Sequence, residues 1–396
     1  MEKYQYMPLN DNVEEMFIGP FGSGLKNDSF VDESNAFCMV YEQKHAIKKT
    51  MKLETRYVNR EKYEELKRFN IHGGDIIVSC RGTIGETYIV PDDAPLGIMH
   101  PSIMKIRLKS GVYNKQYFNL LLRNHLKQHE AEANGSGIKM AISAKELGAT
   151  LFPVPDMAEQ NQIASAFNQV EELISLRKQQ LAKLDELVKA RFVELFGDPE
   201  TNPYGWEKVT VGEVCSSIVR GPFGSALKKE FFVEPNETTY KVYEQKHAIQ
   251  KSATIGTYYV TAEKFDELRR FECVAGDILM SCSGTMGELY QLPEGCEKGL
   301  INQALCKFTL NERILPIVFL TYMKQTIGNL ETKGSGIQNI AAVSYVKAMP
   351  INLAPMEVQE QFATFVEQTD KSKLAIQQSL DKLATLKKSL MQKYFG

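Results

Sequence analysis

Two five-residue stretches gather the side chains best suited to read a nucleic acid. Tyr41, Glu42, Gln43, Lys44 and His45 form the first, and Tyr243, Glu244, Gln245, Lys246 and His247 repeat them 202 positions later. Amides and carboxylates match the donors and acceptors of base edges, while lysine and imidazolium match phosphates. The same residue types also build satisfied networks beneath a polar strand face, and the sequence leaves both readings open. Thr83 and Thr285 lie in Gly-flanked loops whose backbone could approach a phosphate or merely turn. The loops 135–139 and 334–338, with Ser136, Lys139, Ser335 and Gln338, carry the same ambiguity. Lys26 and Lys228 end the matching segments GPFGSGLK and GPFGSALK and add a cation to each set. Arg81 stands where the second set has Ser283; an arginine can grip guanine with two hydrogen bonds and a serine cannot, the alternative being a contact with phosphate or solvent.

Catalytic patterns are absent from the chain as written. GPFGSG resembles a cofactor loop, but Gly24 becomes Ala226 in the second copy and no acidic residue clearly takes the ribose-binding place. Asn202-Pro203-Tyr204 lacks the second proline of the methyltransferase motif Asn-Pro-Pro-aromatic. There is no GxxxxGK[ST] nucleotide loop, and the six histidines and seven cysteines show no zinc-ligand spacing. Binding is what remains.

The elements that hold these residues are duplicated with them. VYEQKHAIKK returns as VYEQKHAIQK and SCRGTIGE as SCSGTMGE at the same offset, so the 396 residues comprise two copies of a unit of about 200. A hydrophobic fraction of 43% fills two cores, no apolar stretch is long enough for a bilayer span, and the amino terminus has no signal-peptide pattern. Unpaired cysteine spacing predicts reduced thiols and a cytoplasmic chain without a disulfide framework. Net charges of +1 for residues 1–150, −3 for 151–199, −1 for 200–350 and +1 for 351–396 predict weak DNA binding by this chain alone, since cations at phosphates supply that affinity.

Each copy reads as an α+β front followed by a helix. DIIVS and DILMS follow Gly-Asp turns as short strands, and after Pro153 and Pro155 no Pro or Gly occurs until Gly197. The expected organisation is a front domain 1–152, a helix 153–197, a linker 198–203, a second front domain 204–350 and a second helix 351–396. Apolar residues step by four and three through Ile163, Phe167, Val170, Ile174, Leu181, Leu184, Val188 and Leu195, with Arg177 and Arg191 interrupting. A matching seam runs from Phe362 to Tyr394. This 3.5-residue period predicts a coiled coil; the short linker, with the two copies related by a pseudo-twofold, sends the second helix back along the first, so that the pair is antiparallel. Leu173, Leu187 and Phe192 flank the seam and are candidates for partner docking or for widening the seam.

Together, GPFGS, YEQKHAI, the GDI(I/L)…GTxGE block, the GSGI loop and the Glu159-Gln160 and Val358-Gln359 helix starts resemble the specificity subunit of type I restriction-modification systems. The resemblance implies two target-recognition domains, each reading half of a bipartite DNA site, and a helical spacer that docks methyltransferase subunits. It implies a non-catalytic chain that directs adenine methylation and, with motor-nuclease subunits, cleavage. S-adenosylmethionine and ATP would then be bound by the partners, with no cofactor or metal on this chain. Like domains in opposite orientations imply a near-palindromic target with a gap of about one helical turn between half-site centres. His100-Pro101 against Asn302-Gln303 marks a departure between the copies. From the residues alone, a coiled-coil scaffold whose tandem domains bind proteins is the alternative.

Overall fold

The computed structural model describes residues 4–20, 24–81, 83–134, 143–198, 201–223, 226–332 and 342–396, excluding the side chains of 129–134 and 328–332. Ser136, Lys139, Ser335 and Gln338 fall outside the described residues. The chain divides into two units, residues 1–177 with 379–396 and residues 178–378.

In the first unit, Ile76–Ser79 lies inside an antiparallel sheet ordered Val13–Ile18, Ile103–Leu108, Ile76–Ser79, Thr87–Ile89. Side chains alternate across a strand, and here both faces are covered: Ile76 and Val78 enter one core with Met104 and Ile106, while Ile77 enters another with Tyr41 and Ile103. This explains a continuous apolar run instead of an alternating one. A second sheet orders Tyr57–Val58, Cys38–Tyr41, Gly97–Met99 and Asn70–Ile71, its central pair parallel. The second unit repeats both sheets, with Ile278 and Met280 facing one core and Leu279 the other.

The Gly-Asp turns have a definite task. Gly74 and Gly276 take φ of +83° and +87°, which side chains disfavour, and the aspartates then close the turn. Asp75 accepts from the His72 amide at 2.8 Å and Asp277 from the Val274 amide at 3.0 Å. Asp75 also holds Arg107 by two bonds of 2.7 and 2.8 Å; in the second unit, Thr309 and Lys307 meet Asp277 at 2.5 and 3.3 Å.

The long helices are Met157–Phe196 and Met356–Phe395. The first begins later than residue 153 because Leu151–Val154 is a strand paired with Gln5–Pro8; Pro350–Leu353 likewise pairs with Glu207–Thr210 ahead of the second. Asp156 Oδ1 caps the Glu159 amide at 2.8 Å. The Gln of each Glu-Gln or Val-Gln pair is a buried clamp. Gln160 donates to the carbonyls of Val112 and Pro155, both at 2.9 Å, and accepts from the Asn114 amide at 2.8 Å. Gln359 does the same for Arg313, Ala354 and Leu315.

Burial follows the 3.5-residue seam: Ile163, Phe167 and Val170 are buried, and Ile174, Leu181, Leu184, Val188 and Leu195 are half-buried. Within the first unit, Phe167 meets Phe395 with ring centroids 6.0 Å apart, and Lys387 pairs with Glu171 at 2.6 Å. Within the second, Phe192 meets Phe362 at 5.4 Å and Lys373 pairs with Asp185 at 2.7 Å. Ascending numbers on one helix meet descending numbers on the other, so the pairing is antiparallel in both. The first unit's core is completed by Leu390, Met391, Tyr394 and Phe395 from the chain's end.

Phe192 is corrected from docking candidate to core residue. Its ring has 0% exposure and stacks on Phe196 at 4.6 Å, because a helix end seated on a globular core buries more than its narrow seam. Leu173 and Leu187 remain 45% and 48% exposed.

Candidate nucleic-acid interface

The YEQKHAI blocks turn from strand into helix, and their most chemical residues point inward. Tyr41 and Tyr243 end buried strands, and their hydroxyls donate to the carbonyls of Pro95 at 2.5 Å and Glu297 at 2.6 Å. His45 and His247 are also buried; their Nδ1 atoms accept from the amides of Glu42 and Glu244 at 2.9 Å, so the ring proton resides on Nε2. In the second unit that proton is donated to Ile255 O at 2.7 Å. Burial holds both imidazoles below their ordinary pKa and hence neutral. These four candidates are therefore corrected from DNA contacts to packing and helix capping: with no exposed surface they cannot meet a base.

Other members of the block stay at the surface. Glu42 is flanked by Lys44 at 2.9 Å and by Arg56; burial pushes its carboxyl up, but these cations outweigh burial and hold it below its usual range. Lys246 pairs with Glu244 at 2.6 Å. Gln43 and Gln245 are half-buried, with amide oxygens lacking a partner among the described residues. The Gln245 amide lies beside Gly284, where an added Cβ would stand 3.6 Å from its nitrogen. Lys251 bonds Glu288 at 2.6 Å, as Lys49 approaches Glu86 at 3.4 Å. Each unit thus ties the lysine two residues after YEQKHAI to the glutamate of GTxGE.

The SCxGTxGE blocks are closed hairpin loops. Ser79 accepts the Gly85 amide on its carbonyl at 2.9 Å and the Glu86 amide on Oγ at 3.0 Å; Ser281 repeats this with Gly287 and Glu288 at 2.8 and 2.9 Å. Pinning both ends presents the tips, and Arg81, Thr83, Ser283 and Thr285 are all exposed. Lys26 and Lys228 are exposed as well. The His100 and Asn302 difference has a local origin, because both side chains accept the amide two residues ahead, from Ser102 at 3.2 Å and Ala304 at 3.0 Å.

Arg81 sits on a cleft of about 430 Å³ lined by Phe17, Ile18, Gly19, Arg68, Phe69 and Pro101, among others. Arg68 was not among the sequence candidates; it reads as an ordinary helix-end cation, although Arg270 repeats it. The signal that finds it is the fold, which carries its guanidinium to 5.4 Å from the Phe17 ring at the mouth of the cleft. Burial pushes the Cys38 thiol up to about 11 and the Cys80 thiol up to about 12, which makes these two poor nucleophiles. No helix among the described residues is long and apolar enough to cross a membrane.

The family profile of the type I restriction modification DNA specificity domain matches residues 33–186 and 203–387. A Methanocaldococcus jannaschii protein named as a type I restriction enzyme MjaX specificity subunit is 21% identical over 79% of this chain and 76% of its own length. Among solved structures, a chain from a study of complex assembly and conformational transition of the type I R-M system is similar with a TM-score of 0.62 and 15% identity, covering 100% of this chain and 98% of that one. The type I restriction-modification S subunit from M. genitalium gives 0.51 and 14%, covering 100% and 97%. At these identities the structural likeness speaks for the fold.

Proposed function

The chain belongs to the type I restriction modification DNA specificity family, and from that premise we propose that it reads a bipartite, near-palindromic DNA target and positions methyltransferase subunits on it. It is a DNA sequence-recognition subunit without catalysis of its own, and the protein-binding scaffold is not favoured. The observation that carries the bipartite reading is duplication at the surface: in each unit a pinned GTxGE loop, exposed at its tip, is tied through its glutamate to the lysine two residues after YEQKHAI, Lys49 to Glu86 and Lys251 to Glu288. Two like readers on one chain call for two like half-sites, separated by base pairs that neither reads.

A net charge of −2 is too little to hold a duplex through phosphates, so tight binding depends on partners. Methyltransferase subunits would close around the DNA and bring S-adenosylmethionine, and restriction subunits would bring ATP. The exposed Leu173 and Leu187 are the proposed docking positions on the first long helix. The test is an affinity comparison at physiological salt. The purified chain should bind its target no better than unrelated duplex, and addition of its methyltransferase should create specificity; nanomolar specific binding by the chain alone contradicts the reading.

A further inference from the structure

The sequence sets Arg81 against Ser283 as a difference between the two readers, but the structure supplies the second reader with a guanidinium from elsewhere. Position 18 corresponds to 220 in the repeat, and the two share a place in their sheets: Ile18 pairs with Met104, and Arg220 with Cys306. In the first unit, Ile18, Cys80, Arg81 and Pro101 line one cleft. Their counterparts are Arg220, Cys282, Ser283 and Gln303. The Arg220 guanidinium reaches the carbonyls of Cys282 at 3.5 Å and Gln303 at 3.4 Å, the residues matching Cys80 and Pro101. One arginine stands for another among corresponding positions of the two units.

We propose that Arg81 in the first unit and Arg220 in the second are equivalent specificity-determining residues, each reading a guanine at the corresponding position of its half-site. This rests on the chain being a DNA sequence reader. Three further features favour a base over solvent. Arg81 is exposed and makes no hydrogen bond or ion pair among the described residues. Arg220 lies 5.2 Å from the ring of Phe223, which is 69% exposed; an exposed apolar ring beside a cation is suited to a base edge. Arg68 and Arg270 are exposed and present in both units, and so can serve a phosphate without distinguishing sequences.

The exchange itself is the test. In cells expressing the full chain with its methyltransferase, methyladenine mapping is performed for the wild type, Arg81→Ser, Arg220→Ile and the transplant Ile18→Arg with Arg81→Ser, which gives the first unit the second unit's arrangement. Each single substitution should relax one base position in one half-site, lowering the preference for guanine roughly 5- to 150-fold, and leave the other half-site intact. The transplant should restore guanine. A wild-type motif in both single variants, or a uniform loss of methylation with the motif unchanged, overturns the proposal and points to phosphate contacts. If a variant abolishes methylation, competition binding by the purified complex to duplexes bearing each base at the position decides: equal weakening for all four bases also overturns it. A motif that persists after deletion of the gene would instead refute the DNA-reading role itself.

Discussion

Phe192→Ala separates packing from docking most sharply. The ring has no exposed surface, stacks on Phe196 at 4.6 Å and meets Phe362 and Tyr322 edge-on at 5.4 and 6.1 Å. Truncating a buried phenylalanine costs about 3–5 kcal/mol through lost transfer energy and the cavity left behind. In a unit of this size, 1 kcal/mol moves the melting temperature by about 2–4 °C, so a fall of roughly 6–20 °C is expected. Leu187→Ala, on the same helix but 48% exposed, should stay within about 1 kcal/mol of wild type. The sole tryptophan, Trp206, packs against the same core and makes urea unfolding of this unit visible by fluorescence. The expected pattern is a large midpoint loss for Phe192→Ala, with methyltransferase capture lost only as the unit unfolds, and the reverse for Leu187→Ala. An unchanged midpoint in Phe192→Ala together with failed capture would return Phe192 to the docking surface and refute the packing argument.

Gln160→Leu and Gln359→Leu should each destabilise by roughly 2–5 kcal/mol, because every clamp leaves two carbonyls and one amide without their partner; calorimetry showing losses below about 1 kcal/mol would discount the clamp. Stability should also fall on acidification. Burial lowers His45, His100 and His247 beneath the ordinary 6.5, so the unfolded chain binds protons first; stability is full above about pH 6.5 and is lost as pH falls through the window below it. His45→Gln with His247→Gln should flatten the fall in melting temperature between about pH 7 and 5.5, and an unaltered slope would count against the neutral, buried imidazoles.

The long helices were legible because burial of one stripe imposes a period, and that stripe matches the observed seam from Ile163 to Leu195. Repetition likewise exposed the sheets, since DIIVS and DILMS must adopt the same structure. Direction was harder to read. Tyr41 and His45 are polar enough to face a ligand, and nothing in their spacing reveals that a strand end and a helix cap turn them inward. Repetition singled them out but did not separate packing from binding. Arg220 escaped notice for the opposite reason: matched by position against Ile18, it reads as a difference, and only its reach to the carbonyls of Cys282 and Gln303, counterparts of two residues that line the Arg81 cleft, relates it to Arg81.

The central claim, that this chain chooses a bipartite DNA target for its methyltransferase, is tested most directly by methyladenine mapping of the host genome with the gene present and deleted. The account predicts one motif of two related, oppositely oriented half-sites around unread base pairs, present with the gene and absent without it. A continuous motif, two unrelated half-sites, or a methylation pattern indifferent to the deletion would contradict the spacer, the near-palindrome and the specificity role respectively.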